Sequence, residues 1–112
     1  MEVGSIQKLM IAIVQEQDVD VAERALGTLH LSIFHMASMG GFLGRRNATL
    51  LIALPDGKER EAIDTLTVSC RQRVEYLAIP LEGAAMPLPT PMPVTVGGAT
   101  VFTLPVERFE EL

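Results

Sequence analysis

The stretch Lys8-Leu-Met-Ile-Ala-Ile-Val14 decides how the chain folds. Its continuous apolar run is typical of a β-strand that is buried on both faces. Asp20 follows shortly afterwards with Glu23 three residues later, and this spacing predicts a capping box at the start of a helix. Apolar residues then recur at helical spacing, so we predict a first helix over residues 19–30.

The rest of the chain continues this alternation of strands and helices. Further strands are predicted at 31–37, 47–54 and 73–79. A second helix is predicted over 57–70, where Asp56 and Glu59 repeat the capping-box spacing. The order β-α-β-β-α-β is that of a ferredoxin-like α+β fold, in which one antiparallel sheet carries both helices on one face. We therefore predict a single domain over residues 1–112, with a further β segment at 94–104.

Three segments contain the residues that interrupt regular structure. Residues 40–47 hold three glycines and two adjacent arginines, which predicts a loop. Residues 80–93 hold five prolines, which predicts a stiff, irregular loop. Gly97-Gly98 lies within the last β segment and indicates either a hairpin turn or a glycine bulge in a strand.

Composition narrows the classes of function. The 112 residues are 48% hydrophobic, more than one small core requires, and the second face of the predicted sheet needs a cover. We therefore expect that face to pack against other copies of the chain.

The net charge of −5 and the lack of a basic patch argue against a nucleic-acid partner. No secretory signal or apolar run of 18 residues is present, and Cys70 is the only cysteine, so we expect a cytoplasmic protein without a membrane partner.

No set of residues predicts an enzyme. His35 lies near Ser32 and Ser38, but a nucleophilic triad also needs an orienting carboxylate and an oxyanion hole. Two histidines and one cysteine do not make a zinc site within one chain, although a site shared between chains stays open. The glycines of 40–44 lack the spacing of a phosphate-binding P-loop. They fit either a backbone that approaches a ligand closely or a hairpin tip, and composition does not choose between these.

Several motifs together resemble one family. Gly40-Gly-Phe-Leu43 followed by Asn47 resembles the signature loop of the PII-like cyclic-di-AMP receptors. The same family is matched by Met10–Asp18, Val96–Phe102 and Leu104–Phe109. The resemblance implies a homotrimer similar to nitrogen-regulatory PII proteins. It also implies a signalling loop at 36–47 with a second loop at 80–93 beside it, and a non-enzymatic protein without a cofactor.

The resemblance also implies a ligand pocket between adjacent subunits. In that pocket Gly41, Phe42 and Leu43 would hold an adenine, and Asn47 would hydrogen-bond the base. An amide suits an adenine edge because it both donates and accepts. Phe102 belongs to the matching motif in the last strand, where it either lines the pocket or lies in the core.

Four positions depart from the family's pattern. Family members that bind the dinucleotide carry Arg, Thr, Gly and Gln where this chain has, in order, Ser32, Phe34, Ala53 and Glu111. An arginine suits a phosphate because its paired donors and permanent charge match the oxygens, whereas Ser32 offers one neutral hydroxyl. The adenine half of the pocket therefore looks retained and the phosphate half changed. Arg45 and Arg46 are the candidates to compensate.

Three functions are compatible with these observations. The first is a cytoplasmic signalling trimer that binds a small nucleotide, cyclic di-AMP above all, between subunits and relays it through residues 36–47 to an unknown protein partner. The second is an interaction module of the same fold that has lost cyclic-di-AMP binding and uses another ligand or only a protein partner. A small enzyme or metal-handling trimer on this fold is a third reading, which the shortage of His and Cys disfavours.

Overall fold

The computed structural model describes residues 6–42, 45–80 and 89–112. Within them the chain has six strands and two helices. In chain order these are β1 (Ile6–Gln15), one turn of 3-10 helix (Glu16–Asp18), α1 (Val19–Gly27), β2 (Ser32–Phe42), β3 (Arg45–Pro55), α2 (Glu59–Ser69), β4 (Arg73–Pro80), β5 (Pro89–Val96) and β6 (Ala99–Pro105). The mixed α+β class that we predict is confirmed.

A four-stranded antiparallel sheet forms the centre of the fold, in the order β2-β3-β1-β6. Alternate residues of β1 and β3 point to one face of this sheet and are buried there by α1 and α2. The largest fully buried side chains are Met10, Leu26, Leu50, Ile52, Leu54, Leu66, Val14 and Cys70. This single core places both helices on one side of the sheet and leaves its other side uncovered by the described part of the chain.

The partner of β4 differs from our prediction of one sheet. β4 does pair, but with β5, in a separate two-stranded sheet that we call the β4–β5 ribbon. The place beside β1 is taken by β6 instead. Gly97 and Gly98 make this change of partner possible: both have φ near +90°, and a Cβ at Gly97 would collide with the carbonyl oxygen of Arg71. The glycine pair is therefore a corner between two sheets, not a hairpin turn or a bulge.

The prediction of an irregular loop over 80–93 is wrong for the residues described there. Pro89, Pro91 and Pro93 lie in β5, opposite Pro80, Ala78 and Tyr76 of β4. N–H groups of alternate residues point to the same edge of a strand, so prolines at every second position remove donors from one edge only. The residues between them keep the donors that the ladder with β4 needs. Residues 81–88 lie outside the described chain.

The predicted loop at 40–47 is also mostly strand. Gly41 pairs with Arg46 and Phe42 with Arg45, so β2 and β3 continue as a hairpin beyond the core. The register shifts between Ala37 and Gly41, where β2 has more residues than β3 between paired positions. The glycines fit a hairpin arm with an irregular register, which composition did not distinguish from a loop. Residues 43–44 lie outside the described part of the chain.

Both helices begin near the predicted positions, but neither begins with the predicted capping box. Asp18 is the N-terminal cap residue of α1 and Lys58 that of α2, and neither side chain bonds to the backbone of its helix. Asp20 lies inside the first turn of α1 instead. The Asp18 carboxylate is used elsewhere, since it accepts a hydrogen bond of 2.8 Å from Arg73. Among the described helices, none is long and apolar enough to cross a membrane.

Candidate functional site

The uncovered face of the four-stranded sheet carries most of the predicted site residues. We call it the open face. The register places on it the alternate residues that do not point at the helices: Leu9, Ile11, Ile13, Gln15, Ser32, Phe34, Met36, Asn47, Thr49, Leu51, Ala53, Thr100, Phe102 and Leu104. All of these are uncharged, and the polar ones are concentrated towards the end that carries Asn47 and Gln15.

A continuous apolar row crosses the middle of the open face. Phe34 lies opposite Leu51, Leu51 opposite Ile11, and Ile11 opposite Phe102. The row begins and ends with phenylalanines that are 72% and 53% exposed, respectively. Exposed aromatic side chains at both edges of an apolar sheet face are typical of a surface that binds another protein or a ligand.

The predicted site residues fall into separate places on this face. Ser32 lies directly opposite Ala53, with Phe34 one row further along. Asn47 lies six residues from Ala53 on β3, a separation of about 20 Å along a strand. Phe102 lies on the opposite edge strand from Phe34, three strand spacings or about 14 Å away. One small pocket within a single chain therefore does not contain all of them.

The remaining predicted site residues lie away from the open face or outside the residues that the structure describes. Glu111 is exposed in the tail after β6, which has no helix or strand. Gly41 and Phe42 lie in the arm of the β2–β3 hairpin, and Leu43 is outside the described residues. The backbone alone thus places Gly41 and Phe42 beyond the Asn47 end of the open face, and their proposed contacts with a base stay predictions.

A groove that the sequence did not predict lies beside the Asn47 end. It has a volume of about 490 Å³ and is lined by Gln15, Glu16, Gln17, Arg46, Val94 and Val96. Gln15 connects it to the open face, because Gln15 lies directly opposite Asn47. Val94 and Val96 come from β5, and no sequence signal indicated that this strand returns to the end of β1.

Arg46 is the basic residue of this groove. Its guanidinium is largely exposed and lies 3.9 Å from the carboxylate of Glu16. A pair of this length between exposed groups contributes little to stability, so the arginine is free to turn towards an anion. The side chain of Arg45, the other candidate, belongs to the part of the chain that is not described.

A partly buried ion pair attaches the β4–β5 ribbon to the end of β1. Asp18 is buried and binds Arg73 through two hydrogen bonds, and this contact raises the pKa of the Arg73 guanidinium. The Gln15 side chain accepts a hydrogen bond of 2.8 Å from the N–H of Gly97, and the N–H of Gly98 donates to the carbonyl of Cys70. These contacts hold one wall of the groove in place.

The described residues do not support the catalytic interpretations that the sequence left to be considered. Ser32 points to the open face whereas His35 points to the helix side, where its ring lies 3.7 Å from Glu23. Burial raises the pKa of the Cys70 thiol to about 11, which makes it a poor nucleophile. The described residues contain no group of three or more His, Cys, Asp or Glu side chains that could hold a metal ion.

Fold and surface together define a small α+β domain with an uncharged sheet face and an adjoining groove. The model of the family described as cyclic-di-AMP receptor matches residues 7–112. The chain therefore belongs to this family, and the resemblance drawn from its motifs is confirmed.

Two of the solved structures that are similar to this chain cover nearly all of it. A protein of unknown function from Pediococcus pentosaceus is 30% identical, with a TM-score of 0.76 over 96% of this chain and 99% of that one. A DUF3240 family protein from Shewanella baltica is 14% identical, with a TM-score of 0.57 over 100% of this chain and 99% of that one. At that identity the second likeness concerns the fold alone.

Proposed function

We propose that this chain is one subunit of a cytoplasmic, non-enzymatic signalling trimer that binds a nucleotide second messenger, cyclic di-AMP, between its subunits. One observation carries the proposal: the site residues of a single chain lie at opposite ends and edges of one uncharged face. Neighbouring copies that cover this face bring the Asn47 end of one chain towards the Ser32 or Phe102 side of another. The family to which the chain belongs supports the choice of ligand.

The adenine side of the site is the end that carries Asn47. The Asn47 amide both donates and accepts, as the edge of an adenine requires, and Gly41 and Phe42 lie on the neighbouring hairpin arm. Gln15, opposite Asn47, is engaged through its oxygen with Gly97 and so holds the ribbon beside the base. A ligand at this end contacts both the hairpin and the groove.

The phosphate side of the site has lost the family's charged contact. Among the strand residues whose side chains the structure describes, none on the open face is charged, and Ser32 supplies only a hydroxyl. Arg46 is the described arginine that lines the groove next to Asn47, so we assign it to one phosphate of the ligand. The substituted positions predict an affinity below that of relatives with a phosphate-binding arginine.

The proposed signal is a change in the β2–β3 hairpin around residues 36–47. A ligand shifts such an equilibrium only by binding one arrangement of the hairpin more tightly than another. The irregular register between Ala37 and Gly41 gives the hairpin a place where its arrangement can change without disturbing the core. The rearranged hairpin is the surface that a protein partner binds.

Calorimetric titration of the purified protein with cyclic di-AMP tests the proposal, with cyclic di-GMP and ATP as control ligands. Binding of one cyclic di-AMP per interface supports it, together with a particle mass of about three times 12.2 kDa by light scattering. Asn47→Ala should weaken binding about tenfold or more, since a buried hydrogen bond to the base is lost. Thr49→Val, on the same face one row away, is the matched control and should bind normally.

A second candidate function is an interaction module of this fold that binds no cyclic dinucleotide. The uncharged open face favours it, as do the bulky Phe34 and the acidic Glu111 at positions where binding relatives carry Thr and Gln. In that case the trimer forms, but cyclic di-AMP gives no heat of binding at any concentration tested. An intact trimer without binding thus selects the second candidate, and a monomer rejects both.

A further inference from the structure

The side-chain amide of Gln15 is held in one orientation at the end of the open face. Its oxygen, Oε1, accepts a hydrogen bond of 2.8 Å from the backbone N–H of Gly97. A backbone N–H can only donate, so the atom of the amide that faces it has to be the oxygen. The nitrogen, Nε2, therefore points away from Gly97, and a flip of the amide would set two donors against each other.

The backbone that fixes this orientation is itself firmly held. Gly97 has a φ of +87°, and a Cβ there would collide with the carbonyl oxygen of Arg71. The pair of Asp18 and Arg73 attaches the ribbon that leads into this glycine. The Gln15 amide is thus anchored to a part of the backbone that has little room to move.

The Nε2 group of Gln15 is the part of this side chain that the fold does not use. Among the residues that the structure describes, Gln15 makes its side-chain hydrogen bond through the oxygen. No side-chain nitrogen or oxygen in that part of the chain is both buried and without a partner, so Nε2 is accessible. Because Gln15 lines the groove, it presents there a donor that cannot be exchanged for an acceptor.

Asn47 lies beside this fixed donor. It is paired with Gln15 across β1 and β3, and the Cα atoms of such a pair are about 4.5–5.5 Å apart. The Asn47 amide both donates and accepts, so the two side chains together offer one fixed donor and one acceptor. The edge of adenine that carries N1 presents the complementary groups, a bare ring nitrogen next to an amino group that donates.

We propose that Gln15 is a specificity-determining residue of the nucleotide site, with Nε2 donating to N1 of adenine while the Asn47 oxygen accepts from the 6-amino group. The inference rests on the proposed function, which places the base at this end of the open face. A purine with a 6-oxo group carries a hydrogen on N1 and would set a donor against Nε2. A site that leaves such a group unpaired discriminates strongly between ligands of the same shape.

Gln15→Glu tests this role, since it replaces the donor by an acceptor at nearly constant shape. One carboxylate oxygen still accepts from Gly97, and the other takes the place of Nε2. In calorimetric titrations the variant should bind cyclic di-AMP about tenfold more weakly or worse. Gln17→Glu is the matched control, because Gln17 lines the same groove and the same charge is added. We expect it to change the affinity only slightly.

The choice between bases gives a readout that a purely structural bond would not move. Cyclic di-IMP has a 6-oxo group and N1–H in place of the groups of adenine. The native protein should bind it more weakly than cyclic di-AMP. The carboxylate introduced by Gln15→Glu accepts from N1–H, so this variant should reduce or reverse the preference, whereas Gln17→Glu should keep it.

Analogues of the ligand provide a measurement on the native chain, which needs no substitution. The 1-deaza analogue of cyclic di-AMP has C–H in place of N1 and lacks the acceptor. It should bind about tenfold more weakly than cyclic di-AMP to the native protein. The 7-deaza analogue keeps N1 and should bind as cyclic di-AMP does.

The outcomes separate this inference from the proposed function. Cyclic di-AMP that binds equally well to Gln15→Glu and Gln17→Glu would overturn the inference, as would a loss of affinity with the 7-deaza analogue but not with the 1-deaza analogue. Gln15 would then only attach the ribbon to β1, and the signalling trimer would stand. A native protein that does not bind cyclic di-AMP would reject the proposed function and this inference together.

Discussion

The two faces of the four-stranded sheet are built from the same strands but differ in what covers them. On one face Met10, Leu50 and Ile52 are fully buried beneath the helices. On the other, Phe34 is largely exposed although the residues around it are apolar. The apolar pattern of the strands predicts that both faces of the sheet are buried. Within the described part of one chain, only the face beneath the helices is.

This difference indicates where the chain makes its contacts with other molecules. The helix-covered face is completed within the chain, so changes there should alter folding stability. In our proposal the open face is completed by another copy or a ligand, so changes there should alter assembly and binding while the fold remains. The following predictions use substitutions that separate these two consequences.

A charge at the centre of the open face should have the largest effect. Ile11→Lys places an ammonium group in the row between Leu51 and Phe102, and burying it unpaired in an interface costs several kcal/mol. Light scattering should show a fall from about three times 12.2 kDa to a single chain, with an unchanged circular dichroism spectrum. Val68→Lys, on the exposed side of α2, is the control and should leave the mass unaltered.

Neighbouring leucines on β3 provide a direct comparison of the two faces. Leu50→Ala creates a cavity in the core and should lower the free energy of unfolding by about 2–5 kcal/mol at any protein concentration. Leu51→Ala, on the open face, should cost clearly less in dilute solution and more as the protein assembles. Urea denaturation at two protein concentrations measures both, and a concentration-independent loss for Leu51→Ala would mean that no copy covers it.

Restoring the phosphate contacts should strengthen the binding of cyclic di-AMP at the open face. The double variant Ser32→Arg with Glu111→Gln should bind cyclic di-AMP more tightly by about 1.5–3 kcal/mol, or roughly ten- to over a hundred-fold. Phe34→Thr is added to this double variant to remove a steric block. Ser32→Lys, compared with Ser32→Arg, shows whether a positive charge is enough or whether the paired donors of an arginine are needed. Tight binding by the native protein would instead show that Arg46 or Arg45 already holds the phosphates. An intact trimer that binds nothing even in the triple variant would assign the surface to another ligand.

The smallest effect should come from an ion pair at the rim of the helix-covered face. Lys8 of β1 lies 2.7 Å from Glu59 at the start of α2. Hydrogen bonding to Lys8 lowers the pKa of Glu59 below its usual 4.5, so the pair stabilises the fold above that pH and loses its effect as the pH falls through the lowered pKa.

Thermal unfolding of Glu59→Gln against pH checks this expectation. The variant should be slightly less stable than the native protein at neutral pH and equally stable in strong acid. Added salt should reduce the difference, because both groups are exposed. Glu107→Gln in the tail is the control. A difference that grows as the pH falls would contradict the sign.

Much of the fold could be predicted from local pattern. The strand at 8–14 is the middle of β1, and the predicted helix starts at 19 and 57 lie within two residues of the observed ones. Helix α1 ends at Gly27, three residues early, because its last predicted turn is taken up by a turn that includes His30 at positive φ. The capping boxes failed because the helices begin at other residues than the spacing implied: Asp20 lies inside the first turn of α1, and Lys58, not Asp56, is the cap residue of α2.

The site was predicted as a list of residues but not as an arrangement. Ser32, Phe34 and Ala53 do lie together, and family resemblance identified them. The groove lined by Gln15, Arg46 and Val94 was missed, since its walls come from strands that only the tertiary structure brings together. The sequence pattern also did not show that β6, and not β4, lies beside β1, because both segments are apolar enough to be strands.

The sequence by itself determined which segments are strands and helices, that their apolar residues exceed one core, and to which family the chain belongs. These are properties of neighbouring residues, of composition and of short motifs. Only the tertiary structure decided which strands pair, which face the helices cover, and that β5 leaves its proline edge outside. Those choices depend on long-range hydrogen-bond ladders and on contacts such as Asp18–Arg73 and Gly97–Gln15, whose energies arise between residues far apart in the chain.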